Sequence, residues 1–227
     1  MIGVAIPAHN EADRLARCLR AASIAAARHH LHSGEPVRIV VVLDACTDGS
    51  DAICAAFDVE TIEISARNVG VARARGAAHL LDAGAAWLAF TDADSTVAPD
   101  WLDEQLALGV DAVCGAVDVD DWSEHPSHAR DAFSSRYLAA DGHRHVHGAN
   151  LGVSASAYRR AGGFEPLECA EDVALVCALL ASGARVAWSA RPRVVTSGRS
   201  IGRVRGGFAD TLARLGKPIQ LDDQCPS

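Results

Sequence analysis

Lysine is nearly missing from this chain. Of the 21 basic residues among its 227, only Lys217 is a lysine, and the rest are arginines. A biased genome composition accounts for this, and so does a demand for bidentate phosphate contacts, which favour arginine; composition does not separate the two. Positive charge is also scarce overall. Twenty-nine acids give a formal charge of −8, which argues against a broad phosphate-tracking groove and predicts no nucleic-acid partner. Long apolar runs are lacking too: residues 39–43 are typical of the longest, far below the roughly 18 needed to span a bilayer. No transmembrane segment is therefore expected. Met1 leads straight into Ile2-Gly3-Val4-Ala5-Ile6, without the basic flank and small-residue cleavage site of a secretory leader. No two of the seven cysteines have C-x-x-C spacing, which counts against a zinc ribbon or thioredoxin motif. Several sit in apolar patterns, where a thiol behaves as a small hydrophobe, and a reduced, cytoplasmic setting is expected. Two phosphate-binding signatures are also missing. Without G-x-G-x-x-G or G-x-x-x-x-G-K-[ST], dinucleotide and P-loop sites lose their phosphate cradles.

What is present reads as one globular domain, 49% hydrophobic and 22% charged. Short β-type runs alternate with helical patterns. Residues 2–6 form a buried strand, and from Glu11 onward Leu15, Cys18, Leu19 and Ala22 repeat at one-face helical spacing. Residues 37–43 are a continuous apolar run, as in a strand covered on both sides. A short helix is predicted near Ser50, a strand over 59–64, and a helix whose apolar face is Val71, Ala74, Ala78 and Leu81. A strand over 86–91 follows, then a helix opened by Pro99-Asp100, then a strand over 110–117. Such β-α-β-α repetition predicts an α/β fold, a mostly parallel sheet with helices on both faces.

Residues 118–144 break this rhythm. They are polar, irregular and rich in Asp, Ser and His. An ordered stretch returns over 145–153, followed by a helix near 155–161, a Gly162-Gly163-Phe164 turn, and a helix from Glu171 with Val173, Val176, Cys177 and Leu180 on one face. A strand is predicted over 185–188. Beyond Ser197 the chain is rich in Gly and Arg, with one short helical pattern at 208–215. No internal repeat occurs. His29, His30 and His32 fall at the end of a helix and are expected to face solvent.

In an open parallel sheet, ligands bind beyond the carboxyl ends of the strands. The first strand ends in Pro7-Ala8-His9-Asn10-Glu11, the second in Asp44-Ala45-Cys46-Thr47-Asp48-Gly49-Ser50, and another in Thr91-Asp92-Ala93-Asp94-Ser95. Acids are thus delivered to one rim, where their mutual repulsion calls for a cation. Asp92 and Asp94, two apart in an extended segment, present hard oxygens suited to Mg²⁺ or Mn²⁺. Each motif alone also has a local explanation as a cap or turn. Converging on one edge, they favour a nucleotide and metal site.

These segments, with Asn68-Val69-Gly70-Val71-Ala72-Arg73-Ala74-Arg75-Gly76, Gly162-Gly163-Phe164 and Glu171-Asp172 following in order, resemble glycosyltransferase family 2, the nucleotide-sugar-dependent enzymes of the GT-A fold. The likeness runs over residues 2–197. It implies a single GT-A domain over 1–197, built on a Rossmann-like sheet. A nucleotide-sugar half would occupy 1–117, an acceptor-side segment 118–144, and an acceptor and catalytic half 145–197; 198–227 would be an Arg/Gly-rich tail. The donor would be a UDP-, GDP- or dTDP-sugar and the acceptor an unidentified hydroxyl compound, with transfer inverting. The resemblance assigns Pro7, Ala8, Glu11, Asp44, Arg75, Asp92, Ala93 and Asp94 to donor binding. Asp94, with Asp92 beside it, would hold Mn²⁺ or Mg²⁺, and Asp172 would be the catalytic base, next to Glu171. An unperturbed aspartate, with pKa about 3.9, is a weak base, so that role asks for burial. His147, Gly148 and Asn150 are candidates for the acceptor side, together with Glu171.

Two features depart from the family pattern. Residues 194–199, where many relatives place a metal-binding histidine, read Val-Val-Thr-Ser-Gly-Arg. Coordination would then rely on the carboxylate, the diphosphate and water, while His145 and His147 form a second, less favoured pair of ligands. Gly76 stands where relatives often have asparagine. Arg199, Arg203 and Arg205 form either a cover over the diphosphate or a solvated tail. A sugar-nucleotide-forming nucleotidyltransferase is the first alternative, disfavoured because residues 5–11 carry no lysine. A non-catalytic sugar-nucleotide-binding protein is the second. The oligomeric state stays open, and a dimer is compatible with the sequence.

Overall fold

A computed structural model describes residues 1–137, 140–202 and 208–215. The elements run β1 (Ile2–Ala8), α1 (Ala12–Ser33), β2 (Val37–Asp44), α2 (Ser50–Cys54), β3 (Glu60–Ile64), α3 (Val69–Asp82), β4 (Trp87–Phe90), β5 (Thr96–Val97) and α4 (Trp101–Ala107). After these come β6 (Ala112–Val119), α5 (Ser127–Arg136), β7 (Leu151–Ser154), α6 (Ala155–Arg160), α7 (Glu171–Ala181), β8 (Val186–Thr196) and α8 (Phe208–Leu215). The strands form one sheet ordered β3-β2-β1-β4-β7-β6-β8-β5. Strands β1, β2, β3 and β4 pair in parallel, as do β6 and β8, while β7 runs antiparallel to both of its neighbours.

The sheet has a core on each face. On one side Ile2, Val4 and Ile6 pack with Ile39, Val41 and Leu43 against Leu15, Cys18, Leu19 and Ala22 of α1. On the other, Ala5 and Val40 meet Ala77 and Leu80 of α3, with Leu175, Val176 and Leu179 of α7 further along. Alternate residues of each strand serve opposite faces, as the pleat requires. Helix α3 lies close to the sheet because Gly76 leaves room for it. A Cβ there would sit 3.0 Å from Ala5 Cβ and 3.2 Å from Val42 Cγ2, so this departure from the family pattern is a packing device.

Four expectations need correction. The buried face of α3 is Gly70, Ala72, Arg73, Gly76, Ala77 and Leu80, one position round from Val71, Ala74, Ala78 and Leu81. Helix α7 likewise turns Leu175, Val176 and Leu179 inward and leaves Val173, Cys177 and Leu180 exposed. Residues 118–144 are not irregular throughout, since α5 lies within them. His29 is buried: its Nδ1 is 2.7 Å from Asp103 of α4 and its Nε2 is 3.0 Å from Ser33 Oγ. No helix among the described residues is long and apolar enough to cross a membrane.

Candidate active site

The carboxyl ends of β1, β2 and β4 open onto a cavity of about 840 Å³, closed on its far side by residues 145–149, the start of α7 and the end of β8. Among the described residues, four that are not glycine have positive φ: Asn10 (54°), Ala45 (52°), Arg67 (48°) and Ala170 (59°). Each lines the cavity or adjoins a residue that does. Strained backbone held in place by its surroundings concentrates at functional sites.

Pro7, Ala8, Glu11, Asp44, Asp92, Ala93, Asp94, His147, Gly148, Glu171 and Asp172 all line this space. Asp44, at the end of β2, is buried and accepts three backbone N–H groups, from Ala66 and Arg67 on Oδ1 and from Asn68 on Oδ2, each at 2.8 Å. It therefore shapes the loop that precedes α3. A carboxylate has about four acceptor positions, so one remains for a ligand. Asn68 then caps α3, accepting the Val71 N–H at 2.9 Å.

Asp94 sits behind a hydroxyl pair. Its Oδ1 faces Ser95 Oγ at 3.3 Å and Thr196 Oγ1 at 3.5 Å, and the two hydroxyls bond each other at 2.8 Å. Its Oδ2 accepts Arg199 Nη2 at 2.6 Å. The same guanidinium grips Glu11 with both terminal nitrogens, at 3.0 and 2.8 Å. Burial pushes the Asp94 carboxyl up to about 6; Arg199 opposes this, and Asp92 and Glu11 add to it. The acid corner is thus neutralised by a cation the chain itself supplies.

The centre of the site is Arg73. It is buried at 4% exposure and forms ion pairs with Asp92 on one side and Glu171 on the other. Gly148 must be glycine to admit it, because a Cβ would lie 2.2 Å from Arg73 Cζ. Asp172, in the first turn of α7, accepts the Gly148 N–H on Oδ2 at 2.7 Å and the Val173 N–H on Oδ1 at 2.8 Å. Arg73 and Gly148 therefore join the Asp-x-Asp segment to the start of α7.

Two predicted residues are not brought here. Arg75 is exposed on α3 and does not line the cavity; Arg73, two positions earlier and on the sheet-facing side, takes the place expected of it. Asn150 is fully buried and turned into the sheet. It accepts the Trp101 indole N–H at 2.9 Å and donates to the Ala116 and Pro192 carbonyls at 2.7 and 2.9 Å. Its amide is used up in locking β6 to β8, so it has no part on the acceptor side. Arg67 and Arg199 are further cavity residues. Arg203 and Arg205 lie outside the described residues.

A sheet of this order with acids at one rim defines a GT-A glycosyltransferase fold, and known structures agree. Staphylococcus aureus TarS, residues 1–349 in complex with UDP-GlcNAc, superposes with a TM-score of 0.66 at 14% identity, covering 91% of this chain and 61% of that 1–349 chain. The mannosyltransferase PcManGT from Pyrobaculum calidifontis, in complex with GDP-Man and Mn²⁺, gives 0.64 at 18% identity, covering 89% and 58%. Glucosyl-3-phosphoglycerate synthase from Mycobacterium tuberculosis gives 0.58 at 15% identity, covering 95% and 76%. The chain spans about six-tenths of the length of the first two. No curated protein matches the sequence. The model of glycosyl transferase family 2 matches residues 3–161, and the chain belongs to that family.

Proposed function

We propose that the protein moves a sugar from a nucleoside-diphosphate sugar to an acceptor hydroxyl, with inversion and with help from a divalent cation. The observation that carries this reading is Arg73, which ties Asp92 to Glu171 and so sets Asp172 in the same cavity as the Asp-x-Asp segment. TarS and PcManGT, structures of the same fold, hold UDP-GlcNAc and GDP-Man, which supports a nucleotide-sugar donor. Residues 1–197 would then be the catalytic domain, with 118–144 on the acceptor side and 198–227 as a tail. The free thiols favour a cytoplasmic location.

The residues present fit Mn²⁺ or Mg²⁺. Asp94 offers hard oxygens held by two hydroxyls, and the guanidinium on its Oδ2 shows that this corner takes positive charge. No group of three acidic, His or Cys side chains among the described residues could hold a metal ion. Asp94, seconded by Asp92, would therefore share the ion with diphosphate and water. When bound, such an ion neutralises charge on the departing diphosphate. Pro7, Ala8 and Asp44 would line the nucleotide end. Asp172 would take the acceptor proton as the acceptor oxygen bonds to the anomeric carbon and the bond from that carbon to the diphosphate breaks. The Gly148 amide keeps the Asp172 carboxylate aimed while it does so.

A thermal melt screen of UDP, GDP, dTDP and CDP, with and without Mn²⁺, tests this reading and names the base. Asp94→Ala should lose the Mn²⁺-dependent part of the shift; an unchanged shift rejects the metal assignment. Asp172→Asn keeps the acceptor for the Gly148 N–H, so nucleotide stabilisation should persist while transfer falls about 10²- to 10⁴-fold. Near-normal turnover would remove Asp172 as the base.

A further inference from the structure

His147 stands one residue before the glycine whose amide holds Asp172, and its ring lines the cavity. Its surroundings fix where its proton sits. The Val117 backbone N–H lies 2.8 Å from Tyr137 Oη, and an amide can only donate, so this phenol oxygen is an acceptor there. Tyr137 Oη also lies 2.9 Å from His147 Nε2. Were Nε2 the donor, the Tyr137 proton would have no partner among the described residues. With the phenol donating, Val117 N–H bonds Oη and Oη–H bonds Nε2, and one group, the Nδ1–H, is left without a partner among the described residues; with Nε2 donating, two are left, the Tyr137 proton and the Nδ1 lone pair. Nε2 is then an unprotonated acceptor, and the proton of the neutral imidazole is on Nδ1. No described residue bonds Nδ1.

The rings around His147 hold it in this orientation. Tyr137 is stacked between Phe133, with centroids 4.6 Å apart, and His145, at 4.1 Å. Phe208 meets the His147 ring edge-on at 5.5 Å. Phe133, Tyr137, His145, His147 and Phe208 all line the cavity, so the polar groups of this wall are the imidazoles of His145 and His147 and the phenol already bonded to His147.

We infer that His147 is a specificity residue, a neutral imidazole locked by Tyr137 as the Nδ1–H tautomer, whose single N–H holds an oxygen of the attacking hydroxyl compound beside Asp172. It is neither a base nor a metal ligand, because one ring nitrogen is spent on Tyr137 and the other bears the proton. Burial, and then the neighbouring His145 and His143, push its pKa down to about 4, which keeps the ring neutral at working pH. The inference rests on the proposed transfer reaction.

Two measurements test it. Long-range ¹H–¹⁵N NMR of the histidine rings in the free protein at pH 7 should show His147 as the Nδ1–H tautomer, and Tyr137→Phe should give a mixture. An Nε2–H form or an imidazolium in the unsubstituted protein overturns the inference. The second uses water, always present, as the acceptor probe, following hydrolysis of the sugar nucleotide that the melt screen selects. His147→Phe should lower turnover about three- to tenfold with donor KM unchanged, the effect of one neutral hydrogen bond. His147→Asn, which keeps an N–H close to the Nδ1 position, should restore most of it. Unchanged turnover in His147→Phe overturns the recognition role. Where hydrolysis is too slow to follow, the tautomer decides. Donor binding by melt stays intact in either case, so its loss would indict the transfer reading rather than His147.

Discussion

Arg73 shows how much can depend on one side chain. Its charge is desolvated between Asp92 and the equally buried Glu171, and its Nε has no partner among the described residues. Arg73→Ala would strand Glu171 as an uncompensated buried charge, and urea unfolding should show a loss of about 3–5 kcal/mol. A loss under about 1 kcal/mol would mean that water or a neighbour already screens the pair. The sequence contained a sign of this residue. Gly70, Arg73, Ala77 and Leu80 repeat at helical spacing just as Val71, Ala74, Ala78 and Leu81 do. Apolar count preferred the second set, but sheet packing preferred the set with glycine and alanine, which lets the helix come close. The arginine inside was legible only from the glycines around it. Asn150 misled for the opposite reason, since a polar residue beside a predicted site looks functional until its three hydrogen bonds into the sheet are seen. The acids that end β1, β2 and β4 needed no such help, because strand ends in a parallel sheet fix their place.

Among the elements, α3 is held at its first turn as well as along its face. The Gly70 N–H donates to the Leu167 carbonyl at 3.2 Å, and Asn68 Nδ2 reaches the Pro166 carbonyl at 3.0 Å. A Cβ on Gly70 would lie 2.2 Å from the Glu165 carbonyl oxygen, a backbone atom that cannot swing aside. Gly70→Ala should therefore cost about 1–3 kcal/mol in chemical denaturation; a neutral effect would mean that the 165–167 loop yields freely. Helix α1 was readable because Leu15, Cys18, Leu19 and Ala22 keep one phase and its arginines lie off that face. Helix α7 was not, because it is apolar nearly all round and period alone cannot say which side turns inward. Helix α5 was hidden by its polar composition, and its inward side became defined only where Phe133 meets Trp122, Tyr137 and Phe208. Strand β8 reaches Thr196, well past the predicted 185–188, because β6 and the two-residue β5 give its later half partners.

At the scale of the whole molecule, the net charge of −8 looked like a statement about partners, yet part of it is local. Glu11, Asp44, Asp92, Asp94, Glu171 and Asp172 share one cavity with Arg67, Arg73 and Arg199. The α/β class and helices on both faces followed from alternation alone. The antiparallel insertion of β7 did not, since pairing direction depends on a connection whose path only three dimensions reveal. That insertion makes the sheet continuous across the boundary at residue 117: β6 has β7 and β8 as its neighbours, and both come later in the chain. A fragment ending at Asp121 would leave β6 without partners and β4 bare on one side. It should show no cooperative melt by circular dichroism, and a two-state melt would mean that the first half folds alone. The same order has a consequence during synthesis. β1 to β4 can assemble once residue 90 has left the ribosome, but the outer edge of β4 waits for β7, some 60 residues behind, about 3–12 s at usual elongation rates. For that interval the nascent chain carries an unpaired, wholly apolar strand edge, the form most apt to capture another chain, so the hazard for this protein falls within its own translation rather than in its finished state.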